Sequence, residues 1–327
     1  MATFAQKYPI NSIVYWGVII FLEEFSMSVK HPIISITGSS GAGTTTVKKA
    51  LEYIFNHHNM TPVVVEGDSF HRYDRVAMKK VIADAEERGE HDFSHFGPQA
   101  NLFGELEKLF KQYSETGTGK KRYYVHSEEE GIALGKDDGS NADYPAGTFT
   151  PWKDLPDETD LLFYEGLHGG VVDKEEGVDV GKLVDLFIGV VPSINLEWIQ
   201  KISRDCGERG YSEEVVTDTI LRRMPDYINY IVPQFEHTHI NFQRIALVDT
   251  SNPFIARDIP TPDESLVVIR FNKFRNETDY QYLMSMLQGS FMSRPNTLVV
   301  PGNKMQFAME LILTPIILKM IGASKQN

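Results

Sequence analysis

The sequence predicts an α/β fold: a mixed, mainly parallel sheet with helices on both faces. Three observations predict it. Short β-branched apolar runs recur at 31–37, 61–67, 161–165 and 184–191. They are continuous rather than alternating, as strands buried on both faces are. Helical periodicity fills the segments between them. A glycine loop, 38–43, joins the first strand to the first helix.

The elements follow in order. Residues 31–37 (HPIISIT) form a buried strand ending at Gly38. Residues 44–58 form a helix with Val47, Leu51, Ile54 and Phe55 on one face. Residues 61–67 form the second strand, and 74–88 and 98–113 two further helices. Residues 114–150 hold six glycines and many charges. They are read as an insertion with a flexible loop between strands at 121–127 and 144–150. Strand–helix alternation then resumes, so 27–327 is expected to be one domain. Strands are expected at 161–165, 184–191, 245–249 and 266–271, and helices at 194–209, 213–231, 277–288 and 304–320, the last kinked at Pro315.

Thirty-two Lys and Arg against 45 Asp and Glu leave a net charge of −13 on 327 residues. With 42% hydrophobic residues the chain is globular rather than disordered. The acidic balance excludes a broad nucleic-acid-binding surface. It also requires any phosphate-handling site to concentrate its cations locally. The single Cys206 excludes an intramolecular disulfide, fits a cytoplasmic location, and is read as a spectator thiol. The apolar run 13–22 is too short to span a bilayer and lacks the flanks of an export signal. No membrane partner is expected. Residues 1–26 are read as an appendage or an upstream mis-start, with a surface-binding helix as the alternative.

The segment GSSGAGTT (38–45) matches the phosphate-binding loop spacing G-x-x-x-x-G-K-[ST], with Thr44 where lysine is expected. Its glycines let backbone N–H groups wrap an anion, and the next helix points its N-terminal dipole at the same place. Gly38, Ser39, Ser40, Gly41, Ala42, Gly43, Thr44, Thr45 and Thr46 are therefore the candidate nucleotide-binding residues, with Thr45 reaching a magnesium ion. The missing cation must come from elsewhere.

Phosphoryl transfer to an alcohol needs a proton acceptor, a metal and cations, gathered outside the carboxyl ends of the strands. Asp68 and Glu165 follow the second and third strands and are candidates for catalysis and metal binding; each could instead be a satisfied turn or strand-end carboxylate. Lys201, Arg204 and Asp205 share one helix face, with Arg209 slightly past it and Arg222 and Arg223 on the next helix. A solvated face with internal ion pairs is the alternative. His71, near Arg72 and Arg75, could meet an anionic substrate, whereas His237 and His239 lack a third metal ligand and are read as structural or surface residues.

Together the segments GSSGAGTTT (38–46), EGDSFHR (66–72), YEGLHGG (164–170), NLEWIQK (195–201) with Arg204 and Asp205, DYINY (226–230) and DTSNPF (249–254) resemble the phosphoribulokinases of the bacterial class. The resemblance runs from about residue 30 to the end and places the chain among the P-loop nucleoside and nucleotide kinases, with uridine and pantothenate kinases. It implies transfer from ATP, with Mg2+, to O1 of ribulose 5-phosphate in the Calvin cycle. It implies Asp68 as base, Glu165 at Mg-ATP, Lys201 as catalytic lysine and Asp205 as a further acidic residue. His71, Arg75, Arg204 and Arg209 match positions at the sugar phosphate, with Tyr124 and His126 bordering that pocket. It also implies an octamer, activation by NADH and inhibition by AMP. A kinase of another pentose phosphate or nucleoside, or a catalytically silent nucleotide-binding regulator, are the alternatives.

Overall fold

The computed structural model describes residues 14–15, 18–19, 30–38, 44–191, 193–207, 210–255 and 258–325. Five strands, β1 (Ile33–Thr37), β2 (Pro62–Glu66), β3 (Leu161–Gly166), β4 (Leu186–Val191) and β5 (Ile240–Ala246), are parallel in the order β2-β3-β1-β4-β5. β6 (Ser265–Phe271), β7 (Phe291–Arg294) and β8 (Thr297–Pro301) extend the β5 edge antiparallel, in the order β5-β6-β8-β7.

Eight helices of seven or more residues are described: α1 (Thr44–His57), α2 (Arg75–Glu87), α3 (Phe103–Thr116), α4 (Glu128–Asp137), α5 (Ile194–Gly207), α6 (Glu213–Asp226), α7 (Tyr280–Met286) and α8 (Met305–Ser324). Both faces of the sheet are covered, as two apolar clusters show. Ile34, Ile36, Phe163 and Ile188 meet Leu51 and Ile54 of α1 and Met309, Leu313 and Ile317 of α8. On the opposite face Ile33, Val65, Leu162 and Tyr164 meet Leu106, Phe110 and Tyr113 of α3. Successive strand residues alternate between the clusters, so continuous apolar runs are what these strands require.

α8 corresponds to a span, Gly302–Gly322, that is long and apolar enough to cross a membrane. Part of that apolarity is packing: Ala308, Met309, Leu313 and Ile317 are buried against the sheet and α1, with 44% of the span buried in all. The helix runs through Pro315 as one element. Of the run 13–22, Val14–Tyr15 and Val18–Ile19 form a two-residue antiparallel pair rather than a helix; the rest lies outside the described residues.

Several expected elements differ. The strand placed at 245–249 lies at 240–246: Ile245, Leu247 and Val248 are apolar but exposed, and the buried stretch is Ile240 to Phe242. β7 and β8 join through Pro295 and Asn296 and have no counterpart in the sequence reading. The helix expected from 98 begins at Phe103, after a single turn at Pro98–Ala100. In the insertion, the expected strands reduce to a ribbon of Lys120–Lys121 with Lys153–Asp154 and one bridge between Tyr124 and Phe149. Between them stands α4, capped by Ser127. Its Gly131 and Gly135 pack against the carbonyls of Tyr144 and Ala142, and a Cβ at either would lie 1.8 Å from the oxygen. Those glycines serve close backbone approach inside a helix, not a loop.

One buried acid sets a pH response. The carboxylate of Asp185, before β4, accepts the N–H of Ile33 at 2.8 Å. Burial pushes its pKa up from 3.8 to about 6. The folded state therefore holds this proton more tightly than the unfolded chain, and its stabilising effect is lost as pH rises from about 4 to 6. In urea titrations at pH 4 and 7, Asp185→Asn should remove a pH-dependent component of up to ~3 kcal/mol. Parallel pH dependence of variant and wild type would count against this.

Candidate active site

A cleft of about 320 Å³ opens at the carboxyl ends of β1, β2 and β3. It brings together six of the expected residues: Gly38, Asp68, His126, Glu165, Lys201 and Arg204. It also includes Glu66, Phe96, Glu130, Leu167, Glu197 and Arg223, which sequence reasoning left out or unassigned. Ser39, Ser40, Gly41, Ala42, Gly43 and Arg209 lie outside the described residues, and for Thr44 and Thr45 only the backbone is described. Thr46 is half-buried in the first turn of α1.

The parallel register sets Glu66 of β2 directly beside Glu165 of β3, which in turn pairs with Ile36 of β1. Two adjacent carboxylates need a cation. Lys48 of α1 supplies one, with Nζ 3.4 Å from Glu66. Burial alone would lower the Lys48 pKa, but the charges of Glu66 and Glu165 outweigh it and hold the amine above its ordinary value. Lys48 lies four residues past Thr44, one helical turn, and that spacing was available in the sequence. Just beyond the two glutamates, a Cβ on Gly67 would lie 2.9 Å from the Gly166 Cα. Glycine at both positions lets the strand-end loops approach.

Asp68 sits in the turn Gly67–Phe70 and is half exposed. Its Oδ1 lies 3.3 Å from His71 Nε2, and its Oδ2 3.9 Å from His126 Nε2. Burial lowers the His71 pKa; Asp68 opposes this, and Arg122, Arg223 and His126 reinforce it. The ring is therefore neutral near pH 7 and donates from Nε2 to Asp68, leaving its buried Nδ1 without a hydrogen-bond partner. Tyr124 stands between, its ring 6.4 Å from that of His71 and 5.1 Å from that of His126. Arg75 is exposed and reaches the His126 carbonyl at 3.4 Å; it borders the cleft without lining it. The Asp68–His71–Tyr124–His126 group is thus assembled from two distant chain segments.

The cations stand opposite. Lys201 Nζ meets Asp205 at 2.5 Å and Arg204 Nε meets its other oxygen at 3.0 Å. Burial and the Arg223 charge lower the Lys201 pKa, opposed by Asp205. Burial would raise Asp205, but Lys201 and Arg204 prevail and hold it below the usual carboxylate range. Arg223 lies over the Phe96 ring at 5.2 Å. The internal ion pairs weighed for this helix face are present, and the same face lines the cleft.

Gln234, buried just before β5, fastens the floor. Its amide donates to the carbonyls of Leu167 and Tyr230 at 2.9 and 2.7 Å and accepts from Gly170 N–H at 2.9 Å and Thr37 Oγ1 at 3.2 Å. It joins the end of β1 to the loop after Glu165. His239 is structural, as expected: it accepts from Phe187 N–H and contacts Lys273, and burial lowers its pKa to about 3. Cys206 is half-buried beside Ile202, Val216 and Ile220.

The oxygen donors Asp68 and Glu165, facing one cleft, suit a hard cation such as Mg2+. Donor atoms of Glu66, His126 and Glu130 also lie within 4.8 Å of one another. Glu66 already pairs with Lys48, however, and Glu130 accepts the His126 N–H at 2.7 Å.

Residues 33–251 match the phosphoribulokinase / uridine kinase family. The chain belongs to that family. It is 60% identical over 300 residues to the chromosomal phosphoribulokinase of Cupriavidus necator, covering 92% of this chain and 99% of the relative. It is 58% identical to the phosphoribulokinase of Nitrobacter vulgaris, covering 91% and 99%. The solved phosphoribulokinase from Rhodobacter spheroides superposes with a TM-score of 0.81 at 52% identity, over 90% of this chain and 99% of that one. Family membership makes the chain a phosphotransferase of the P-loop kinase fold, with the fold class read from the sequence.

Removing Asp205 tests the cation cluster. Asp205 raises the Lys201 pKa against burial and Arg223. In Asp205→Ala that support goes, so Lys201 loses its proton at lower pH. The alkaline limb of the kcat–pH profile should move to lower pH. An unmoved alkaline limb would dissociate Lys201 from the rate.

Proposed function

We propose that the chain transfers the γ-phosphoryl group of ATP to O1 of ribulose 5-phosphate, giving ribulose 1,5-bisphosphate for the Calvin cycle. The observation that carries this is the convergence of Asp68, Glu165 and Lys201 in one cleft beside the start of the glycine loop. The identity to phosphoribulokinases over nearly their whole length supports the acceptor.

In this reading the loop 38–46 cradles the ATP phosphates with backbone N–H groups. Asp68 accepts the proton of the O1 hydroxyl as that oxygen bonds to the γ-phosphorus and the bond to the bridging oxygen of ADP breaks. His71 orients the Asp68 carboxylate through Nε2. With His126, Tyr124, Arg75 and Arg209 it borders the sugar phosphate. Lys201 and Arg204 face the charge developing on the transferred group, and Asp205 holds both in place. Asp68 and Glu165, with Thr45, would hold Mg2+, which supplies charge neutralisation at the phosphates when bound. Residues 27–327 act as one domain, with 1–26 outside the catalytic unit. The octamer and the NADH and AMP effectors extend the same proposal, and sedimentation and rate titrations with each nucleotide test them.

ADP release from Mg-ATP, measured with a panel of pentose phosphates and nucleosides, decides the acceptor. Ribulose 5-phosphate should give the highest kcat/KM. Preferred turnover of another acceptor would overturn the assignment. Asp68→Ala should lower kcat by ~10²–10⁴ with the fold retained, the range for loss of a general base. A near-normal kcat would remove Asp68 from that role.

A further inference from the structure

The segment between α3 and β3 reaches the Asp68 turn through one half-buried cation, Arg122, that no assignment above includes. Its Nε donates to the Ser69 carbonyl at 2.8 Å and its Nη2 to the His71 carbonyl at 2.7 Å. The other two carbonyls of this turn are taken by backbone: Asp68 O accepts from His71 N–H and Phe70 O from Leu102 N–H. Arg122 thus completes the hydrogen bonding of all four carbonyls from Asp68 to His71. The guanidinium lies over Phe149 at 3.7 Å and Trp152 at 4.8 Å, and Trp152 packs edge-on against Phe70 at 5.7 Å. Phe149 pairs with Tyr124 across the bridge that closes the insertion.

Among the described residues Arg122 has no carboxylate partner, although it is half-buried. A half-buried cation spent on two carbonyls and two rings is costly unless it fixes something that must not move. What it fixes is the turn bearing Asp68 and His71.

On the reading of Asp68 as the base, we infer that Arg122 is a positioning residue that clamps the Asp68–His71 turn against the insertion and sets those side chains for the acceptor. The clamp is bidentate and stacked, a geometry that the guanidinium fork meets and a lysine ammonium does not. It acts on the acceptor side of the cleft. The end of β1 is fastened separately, through Thr37 and Gln234.

The test compares wild type, Arg122→Ala and Arg122→Lys, using ribulose 5-phosphate or whichever acceptor the wild-type enzyme turns over fastest. Failure of the acceptor assignment therefore shows in the wild-type panel and leaves this comparison intact. In Arg122→Ala, kcat/KM for the acceptor should fall on the order of 10²-fold, as displaced reacting groups cost, while KM for ATP stays within about threefold. Arg122→Lys should recover less than about a tenth of the wild-type value. Millimolar guanidinium should partly restore Arg122→Ala and leave wild type unchanged. An acceptor kcat/KM within about twofold of wild type in either variant would overturn the clamp. So would parallel losses for ATP and acceptor with no response to guanidinium, which would mark Arg122 as a general stabiliser.

Discussion

The ion pair between Lys201 and Asp205 is the constraint on which the rest of the site depends. A glycine loop without its lysine cannot by itself neutralise a triphosphate. On the proposed reading the cation is carried into the cleft on α5, as Lys201, and kept charged there. Burial and Arg223 both favour the neutral amine; the short contact to Asp205 opposes them. One carboxylate thereby orients Lys201 and Arg204 together at the cleft wall. The same carboxylate keeps two neighbouring cations from repelling one another away from the site. An overall charge of −13 is compatible with phosphate handling because the positive charge is local: Lys201, Arg204 and Arg223 on α5 and α6, and Lys48 beneath the two strand-end glutamates.

The sheet explains why these groups meet. Parallel order β2-β3-β1-β4-β5 points all five carboxyl ends one way, and the register aligns Glu66, Glu165 and the end of β1 in a row. Helices on both faces bury the strands, and the cleft opens at that end. The insertion then folds over the opening and supplies Tyr124 and His126 on one side of Asp68. Arg122, stacked on Phe149 and Trp152, and the Trp152–Phe70 contact join it to the turn after β2.

What was legible in the sequence had a local signal. The strands and helices around the glycine loop followed from periodicity, and Asp74 and Ser212 cap their helices through side-chain oxygens, as residues of their type do. Asp68, Glu165 and Lys201 stood out because strand ends and helix faces are computable from spacing. What was missed had a misleading signal or none. Gly131 and Gly135 looked like loop residues, yet they are small for a carbonyl contact inside α4. Leu247 and Val248 looked like strand, yet they lie past the end of β5 and are exposed. Gln234 and Arg122 carry no motif at all: each is defined by which backbone carbonyls the fold delivers to it. Lys48 was within reach, one helical turn past the loop, but its partners lie on two other strands.

The most direct measurement of this account is the single-turnover rate of phosphoryl transfer in Lys201→Met, with Thr44→Lys added as a second variant. Loss of one preorganised charge at the developing transition state should slow transfer ~10²–10³-fold with ATP binding largely kept, and a loop lysine should recover part of that loss. Transfer in Lys201→Met at close to the wild-type rate would contradict the claim that the missing loop cation is supplied from α5.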